Sequence, residues 1–330
     1  MSRPYRPGDW INIDGGLDGR VIGMNWRATH VLTGRRDLAI LPNSSITKAK
    51  IVNASLPARV HGIAITVEIE SSTPPSAVVE MLQRATLNCR SMVTPPAPII
   101  AVKAIRRTCT EYEVTFFVAD LADSTRAQNE LFDLAYRHLA AAGIELAQPM
   151  DRHWQSAGSL LERARTEPER TLALVGAFQL LTAAERSGLA SKLRPHFHEQ
   201  GDTVLARGMV SQSLFIVASG VLSVTLGAAE GGVEISRLGP GGHFGEIGAL
   251  AGVAIPFGIT ALTPAIIYEL STSELEPILE ARPDVLWGLN SAQVRGQDVV
   301  TKGNIKHSEL PVPTNRFESW LARRYTGIQA

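Results

Sequence analysis

The sequence predicts an α+β chain of three folded segments: a small β-barrel, a ferredoxin-like α/β domain and a β-roll with flanking helices. Three observations predict it. Residues 1–58 contain short apolar runs separated by turn residues. Residues 59–149 show strand and helix patterns in the order βαββα. From about residue 172, a helical pattern gives way to many short strands between closely spaced glycines, which is typical of a β-roll or jelly roll.

The first segment reads as strands joined by tight turns. The run LDGRVIGM carries a hairpin signal at Asp18-Gly19, and LAILP is stopped by Pro42-Asn43. We expect Asn43 and Asn53 to hold turns and strand ends. Trp10, Trp26 and Trp154 are expected to lie in a core or an interface. A small barrel is favoured, and a fragment of a β-sandwich is the alternative.

The second segment begins with an alternating strand whose apolar face is formed by Ile63, Ile65, Val67 and Ile69. A helix follows from Ser76 to about Asn88, then two strands, PIIAVKAI and EYEVTFFVAD. A second helix is expected over residues 125–142, with a capping box of Thr125 and Gln128 at its start and a stop at Gly143. The run IELAQP completes the segment as a short strand. No catalytic constellation is visible there.

The remaining chain divides into a polar helical linker at residues 150–171, the β-roll domain at 172–296 and a mobile tail at 297–330. His196 and His198 are two apart on one predicted strand, but a metal site needs at least one more ligand, so no metal is predicted. His243 is expected to be a loop histidine.

Composition limits the classes of function. The 330 residues carry 32 basic and 32 acidic side chains, which disfavours a whole-chain polyanion binder. Residues 1–59 nevertheless hold nine Lys/Arg against four Asp/Glu, a local excess of five that suits anionic lipid or, equally, a solvated basic face. Two cysteines exclude a disulfide scaffold and favour a reducing compartment. No hydrolase, zinc-protease, Walker or dinucleotide motif occurs, so no enzyme is predicted.

Spaced motifs in the first segment carry a resemblance. They are Arg3-Pro4-Tyr5-Arg6 with Gly8-Asp9, Gly19 and Val21, Arg27 and Thr29, Pro42-Asn43, and Asn53 with Ser55. This set resembles the cytoplasmic β-domain of small-conductance mechanosensitive channels, an Sm/SH3-like barrel. Residues 59–149 resemble the α/β vestibule domain of the same family, by element order and length.

That resemblance implies a homo-oligomer, a heptameric cage in the family, whose β-domain lies next to the membrane. The family's spanning helices are missing from this chain, which suggests a truncated channel, a misplaced start or a soluble derivative. The expected location is the cytosolic face of the bacterial inner membrane for a channel part, and the cytosol for the chain as given. No nucleic-acid partner is expected.

The third segment resembles a cyclic-nucleotide-binding domain through its turn glycines Gly208, Gly220 and Gly241 and through Phe244-Gly245-Glu246. In that family the cassette helix holds the cyclic phosphate, the glutamate binds the ribose, and an arginine nine positions later pairs with the phosphate, with Thr or Ser three further on. Here the matching positions are Ile255 and Gly258. The implied ligand site consists of Gly245, Glu246, Ile247, Gly248, Ile255 and Gly258.

Loss of the arginine removes a charged contact of about 1.5–3 kcal/mol, so cyclic AMP or cyclic GMP would bind weakly. Three interpretations stay open: weak cyclic-nucleotide binding, a fold retained for assembly without ligand, and a less anionic ligand. The predicted function is the vestibule and regulatory part of a mechanosensitive channel whose degenerate cyclic-nucleotide domain modulates gating. The alternative is a soluble cyclic-nucleotide-responsive or nucleic-acid-binding regulator.

Overall fold

The computed structural model describes residues 4–14, 16–56, 59–147, 167–226, 232–245 and 254–282, together with residues 284, 285 and 289. The chain divides into two compact units. The first comprises Met1–Val67, Arg90–Ala101 and Tyr112–Leu131, and the second comprises Glu68–Cys89, Val102–Glu111 and Phe132–Ala330. The division passes through the α/β segment. The β-roll and the helix α2 both belong to the second unit.

The N-terminal segment forms one antiparallel sheet. Its elements are β1 Trp10–Ile13, β2 Leu17–Met24, β3 Ala28–Thr33, β4 Leu38–Pro42, α1 Asn43–Ile46 and β5 Ile51–Asn53. The strand order is β4-β3-β2-β1-β5. Its core contains Tyr5, Ile11, Ile13, Val21, Val31 and Ile46.

The small β-barrel predicted from the sequence is not closed, because within the described residues β4 and β5 are the two edges of an open sheet. The strand β5 has three residues, and β1 is its one pairing partner in the described part of the chain. The helical turn α1 follows β4 and contributes Ile46 to the core, so a helical side chain covers the apolar face at the end of β4.

Asn43 and Asn53 hold turns and strand ends of this segment, as expected. The side-chain amide of Asn43 donates to the carbonyl oxygen of Asn25 (2.9 Å), and its Oδ1 accepts from the Thr29 hydroxyl (3.0 Å). The amide of Asn53 donates to the carbonyl oxygen of Pro4 (3.1 Å) and to a carboxylate oxygen of Asp9 (3.0 Å). Satisfying these backbone groups fixes the ends of the sheet.

The α/β segment contains β6 His61–Glu70, α2 Pro75–Asn88, β7 Ile99–Ile105, β8 Cys109–Val118, the 3-10 turn η1 Leu121–Asp123 and α3 Ser124–Ala141. The βαββα order is confirmed. The sheet order is β6-β8-β7, and an antiparallel bridge between Ile69 and Leu146 adds a fourth position beside β6. This is the ferredoxin-like arrangement.

Three sequence signals in the α/β segment can be compared with the structure. The alternation along β6 is confirmed, since Ile65, Val67 and Ile69 are buried. Gly143 has a φ of +72°, the left-handed conformation that ends a helix. The predicted cap at Thr125 is wrong, because α3 already begins at Ser124.

The C-terminal segment is a β-roll flanked by helices. The helical elements are α4 Glu167–Leu174, the 3-10 turn η2 Gly176–Leu180, α5 Ala183–Ala190 and α6 Thr272–Ala281. The strands are β9 Arg194–His198, β10 Thr203–Leu205, β11 Ser213–Ser219, β12 Leu222–Leu226, β13 Val233–Leu238, β14 His243–Phe244, β15 Phe257–Ala261 and β16 Ala265–Ser271. They form two sheets of four strands, ordered β10-β15-β12-β13 and β14-β11-β16-β9.

The boundaries of the segments stay predictions. The helix α4 already begins at Glu167, inside the stretch predicted as linker. Residues 148–166, which hold the rest of that linker, and the predicted tail at 297–330 lie outside the described residues.

The sheet β14-β11-β16-β9 has an apolar core on each side. On one side the two sheets face each other across Leu205, Val217, Leu222, Phe244, Ile255 and Ile259. On the other side the flanking helices pack through Leu172, Phe178, Leu189, Leu214, Ile216 and Leu275. The alternation along β11 sends successive side chains into these two cores. The candidate ligand loop is therefore hydrogen-bonded to a strand, β11, whose two faces are both packed.

None of the described helices is both long and apolar enough to span a bilayer. Cys89 and Cys109 are buried and are not joined in a disulfide.

Candidate ligand site of the β-roll

The loop that enters the candidate site runs from Gly239 to Gly245 and is tied to β11 by backbone hydrogen bonds. The amide of Gly241 donates to the carbonyl oxygen of Val217 (2.9 Å), and the amide of Val217 donates to that of Gly242 (2.8 Å). Within the loop, Gly242 donates to Gly239 (2.8 Å). The loop therefore has a defined path as far as β14.

Gly245 ends the described part of this loop, and only glycine fits there. Its φ is +91°, a conformation that L side chains rarely adopt. A Cβ at this position would lie 2.6 Å from the carbonyl oxygen of Ser213 and 3.0 Å from the ring of Phe215. The predicted site glycine thus has a steric reason, whether or not it touches a ligand.

Replacing Gly245 with alanine is expected to lower the free energy of unfolding of the β-roll by about 2–4 kcal/mol, because strain and overpacking add. Gly201 provides the matched control, since its φ is also +91° while a Cβ there meets nothing within 4 Å. The Gly201→Ala variant should lose about 1–2 kcal/mol. Chemical denaturation measures both, and equal losses would contradict the steric argument.

Residues 246–253 lie outside the described residues, so the predicted roles of Glu246, Ile247 and Gly248 stay predictions. The walls around their start are apolar. The rings of Phe215 and Phe244 stack with centroids 5.2 Å apart and an interplanar angle of 16°.

Ile255, at the position where the resemblance implies a phosphate-binding arginine, lies in the core between the two sheets. Its side chain is 1% exposed and belongs to the apolar cluster that includes Leu205 and Phe244. Its amide donates to the carbonyl oxygen of Met209 (2.9 Å), and its carbonyl oxygen accepts from Gly208 (2.8 Å). An apolar group therefore occupies this position and is held by backbone pairing on both sides.

Gly258 lies in β15 opposite Thr225 of β12. Its carbonyl oxygen accepts from the Thr225 hydroxyl (3.4 Å), and a Cβ at Gly258 would meet that hydroxyl oxygen at 3.4 Å. It supplies no hydroxyl of its own. The two positions where a phosphate partner is implied thus present neither a cation nor a hydroxyl.

The cation nearest in sequence before the loop, Arg237 of β13, points elsewhere. Its Nε donates to Glu234 Oε1 (2.9 Å), and its Nη1 donates to the carbonyl oxygen of Leu87 near the end of α2. We call this pairing, together with the approach of Gly239 to Asn88 and His138, the docking contact. At Gly239 a Cβ would clash with the Asn88 amide and lie 3.1 Å from His138 Nε2. The sequence analysis did not predict this docking contact.

His138 of α3 and Asn88 of α2 are buried polar groups of the docking contact. His138 is 1% exposed, and its Nε2 has no hydrogen-bond partner among the described residues. Burial, with a smaller effect of the Arg84 cation, lowers the pKa of His138 to about 3. The imidazole is therefore neutral at physiological pH.

Of the other histidines singled out from the sequence, His196 of β9 pairs with a carboxylate, and the prediction that His243 lies in a loop is wrong, because it belongs to the strand β14. His196 Nε2 lies 2.7 Å from Glu269 Oε2, and the Ser213 hydroxyl donates to Glu269 Oε1 (2.7 Å). These bonds, with the Ser213 bond the larger effect, lower the pKa of Glu269. In the part of the chain that the structure describes, no group of three metal-ligating side chains is found.

Three family models match separate parts of the chain. Residues 1–56 match the mechanosensitive ion channel β-domain, residues 63–146 match the C-terminal model of the mechanosensitive ion channel MscS, and residues 195–282 match the cyclic nucleotide-binding domain. The three matches follow one another without overlap.

Curated relatives are similar over shorter stretches. A putative potassium channel protein of Rhodopseudomonas palustris is 28% identical over 119 residues, 36% of this chain and 29% of its own. The mouse cyclic nucleotide-gated channel alpha-4 is 27% identical over 140 residues, 41% of this chain and 24% of its own. This chain thus spans less than a third of the length of either relative.

Solved structures with detectable similarity include MscS of Helicobacter pylori in its closed state, with 20% identity over 44% of this chain and 56% of that one, at a TM-score of 0.40. The catabolite activator protein of Thermus thermophilus gives 22% identity over 38% and 60%, at a TM-score of 0.35.

Proposed function

We propose that this chain, which joins the cytoplasmic β-domain and C-terminal domain of MscS-type mechanosensitive channels to a cyclic nucleotide-binding domain, forms the vestibule and regulatory part of such a channel. The observation that carries the proposal is the order of the three family matches, at residues 1–56, 63–146 and 195–282. Channel activity belongs to the proposal, because the chain spans less than a third of its channel relatives. The families concerned are not generally enzymes, and we propose no catalytic role.

The regulatory role is proposed to work through the docking contact. The loop from Gly239 to Gly245 leads into the candidate ligand site at one end and approaches Asn88 and His138 at the other. A ligand that moves this loop would change how well the β-roll packs on α2 and α3. It would bias open and closed states only by its differential affinity for them.

The ligand is proposed to be a cyclic nucleotide that binds weakly. The fold, the loop and Gly245 support binding, while Ile255 and Gly258 provide neither the cation nor the hydroxyl that the phosphate would use. A buried apolar group beside an anion removes water without replacing its hydrogen bonds. We therefore propose a low-affinity site rather than a tight sensor.

Calorimetry with cyclic AMP and cyclic GMP on the purified chain tests this proposal. We expect dissociation constants above about 100 μM, since the strongest phosphate contact is missing. Adenosine, which lacks the phosphate, is the control and should bind no more than a few-fold more weakly. Submicromolar binding would contradict the degenerate site. Absence of binding heat at up to 10 mM nucleotide, which corresponds to a binding free energy weaker than about −3 kcal/mol, would contradict cyclic-nucleotide binding.

We propose that the chain forms a homo-oligomer, and specifically a ring of seven copies. Both edge strands of the N-terminal sheet expose apolar side chains, with Leu38 51%, Ile40 59% and Val52 49% exposed. Open, apolar sheet edges need a cover, and neighbouring copies in a ring would supply it. Light scattering should give a multiple of 35.6 kDa. A monomeric mass at micromolar concentration would contradict the proposal.

The location proposed is the cytosolic face of the inner membrane, with the N-terminal sheet nearest the lipid. The excess of basic residues in residues 1–59 supports this placement, because anionic headgroups attract exposed Lys and Arg.

A further inference from the structure

A cleft of about 260 Å³ lies beside the docking contact, where the α/β segment meets the β-roll. Its wall is formed by α2, the end of α3, α4 and two turns of the β-roll. The lining side chains with chemistry are Arg84, His138, Glu167, Arg170 and Met81, and the turns contribute Ser219, Gly220 and Pro240. None of the lining residues belongs to the ligand site that the sequence predicts at residues 245–258.

The charge on this wall favours an anion. Two guanidinium groups, Arg84 and Arg170, face one carboxylate, Glu167. Arg84 Nη2 also donates to Glu80 Oε1 (2.8 Å), a carboxylate that is more than half exposed. A guanidinium has five N–H donors, so this one bond leaves Arg84 able to bind a further oxyanion.

The floor of the cleft carries a polar atom without a partner. His138 is 1% exposed, and its Nε2 makes no hydrogen bond to any described residue. Leaving such an atom unsatisfied is costly, so buried polar atoms are nearly always bonded to protein, water or ligand. Polar cavities of this kind hold water or polar molecules, whereas empty cavities are apolar.

The size of the cleft limits the ligand. Its volume lies just below the roughly 300–1,000 Å³ typical of sites for drug-sized molecules. It exceeds by several-fold the ~30 Å³ share of one water molecule. A small organic or inorganic anion therefore fits better than a single water.

We propose that this cleft binds a small oxyanion, a phosphate or carboxylate group held by Arg84 and Arg170 with the His138 imidazole as a hydrogen-bond partner. The ligand contacts helices of the α/β segment and turns of the β-roll at once. It therefore stabilises their docking and provides a second, independent input to the β-roll. The proposal does not rest on cyclic-nucleotide binding.

Calorimetric titration of the full chain tests the proposal, with inorganic phosphate in one arm and succinate in the other, against sodium chloride at equal ionic strength. We expect saturable binding of at least one of the two. Arg84→Gln should raise the dissociation constant tenfold or more, because a charge-assisted bond is lost. Arg84→Lys keeps the charge and should give an intermediate value.

Arg107→Gln is the matched control, since Arg107 is exposed and does not line the cleft. It should leave the dissociation constant unchanged, and circular dichroism should show all variants folded. Two results would overturn the proposal: no binding of either anion, or equal binding by the wild type and Arg84→Gln. The Arg84 variants should also leave a cyclic AMP titration unchanged, so failure here and failure of the cyclic-nucleotide site are separately visible.

Discussion

Replacing Ile255 with arginine is expected to lower the free energy of unfolding of the β-roll by about 3–5 kcal/mol in the absence of ligand, the usual cost of an unpaired buried charge. The side chain is 1% exposed between the two sheets, so the guanidinium has no route to water without repacking. Ile255→Val is the matched control and should lose about 0.5–1.5 kcal/mol. Urea denaturation of the β-roll transition measures both.

The same variant tests the assignment of position 255. If this position is the one at which the family's arginine meets the phosphate, cyclic AMP should bind Ile255→Arg at least about tenfold more tightly than wild type. Saturating cyclic AMP should then restore part of the lost stability by mass action. A destabilised variant with unchanged affinity would show that the register is wrong. A variant as stable as wild type would contradict the buried position of Ile255.

The second large effect expected is a loss of stability on acidification, caused by His138. Its folded pKa is about 3, below the ordinary value of 6.5, so the unfolded chain takes up a proton in a range where the folded chain does not. The contribution is fully present above pH 6.5 and is lost as the pH falls toward the folded pKa. Between pH 7.5 and pH 5 the loss is about 2 kcal/mol.

Denaturation at pH 7.5 and pH 5 measures this effect, with His138→Gln as the comparison. The charged groups around the imidazole are Arg84 and Arg170, with Glu167 across the cleft, and none of them changes charge in the variant. The variant is expected to be less stable at both pH values but to lose about 2 kcal/mol less between them. Equal pH dependence in the two proteins would contradict a neutral, buried His138. His61, whose pKa burial also lowers, contributes equally to both.

Local signals were sufficient for most of the fold. Alternation predicted β6 correctly, because Ile65, Val67 and Ile69 are buried on one face. The glycine at position 143 predicted the end of α3 correctly, and its φ of +72° is the left-handed conformation that ends a helix. Closure of the N-terminal sheet was not predictable, because it depends on whether two strands distant in sequence pair, and β5 is only three residues long.

The candidate site was predictable only where local sequence signals define it. Counting from the cassette motif located Ile255 and Gly258, but only the structure places the Ile255 side chain in the core. The docking contact had no sequence signal, because Arg237 and Leu87 are 150 residues apart and neither belongs to a motif. The cleft depends on the same long-range packing.

Through the bond from Arg237 to the Leu87 carbonyl oxygen, the β-roll supplies a cation to the C-terminal end of α2. The last turn of α2 contains no basic residue of its own, although the carbonyl oxygens there carry a partial negative charge. The cation comes from β13, and such a contact contributes about 0.3–1 kcal/mol at a helix end. Detaching the β-roll therefore leaves these carbonyl oxygens without the Arg237 cation, and α2 is expected to fray at this end.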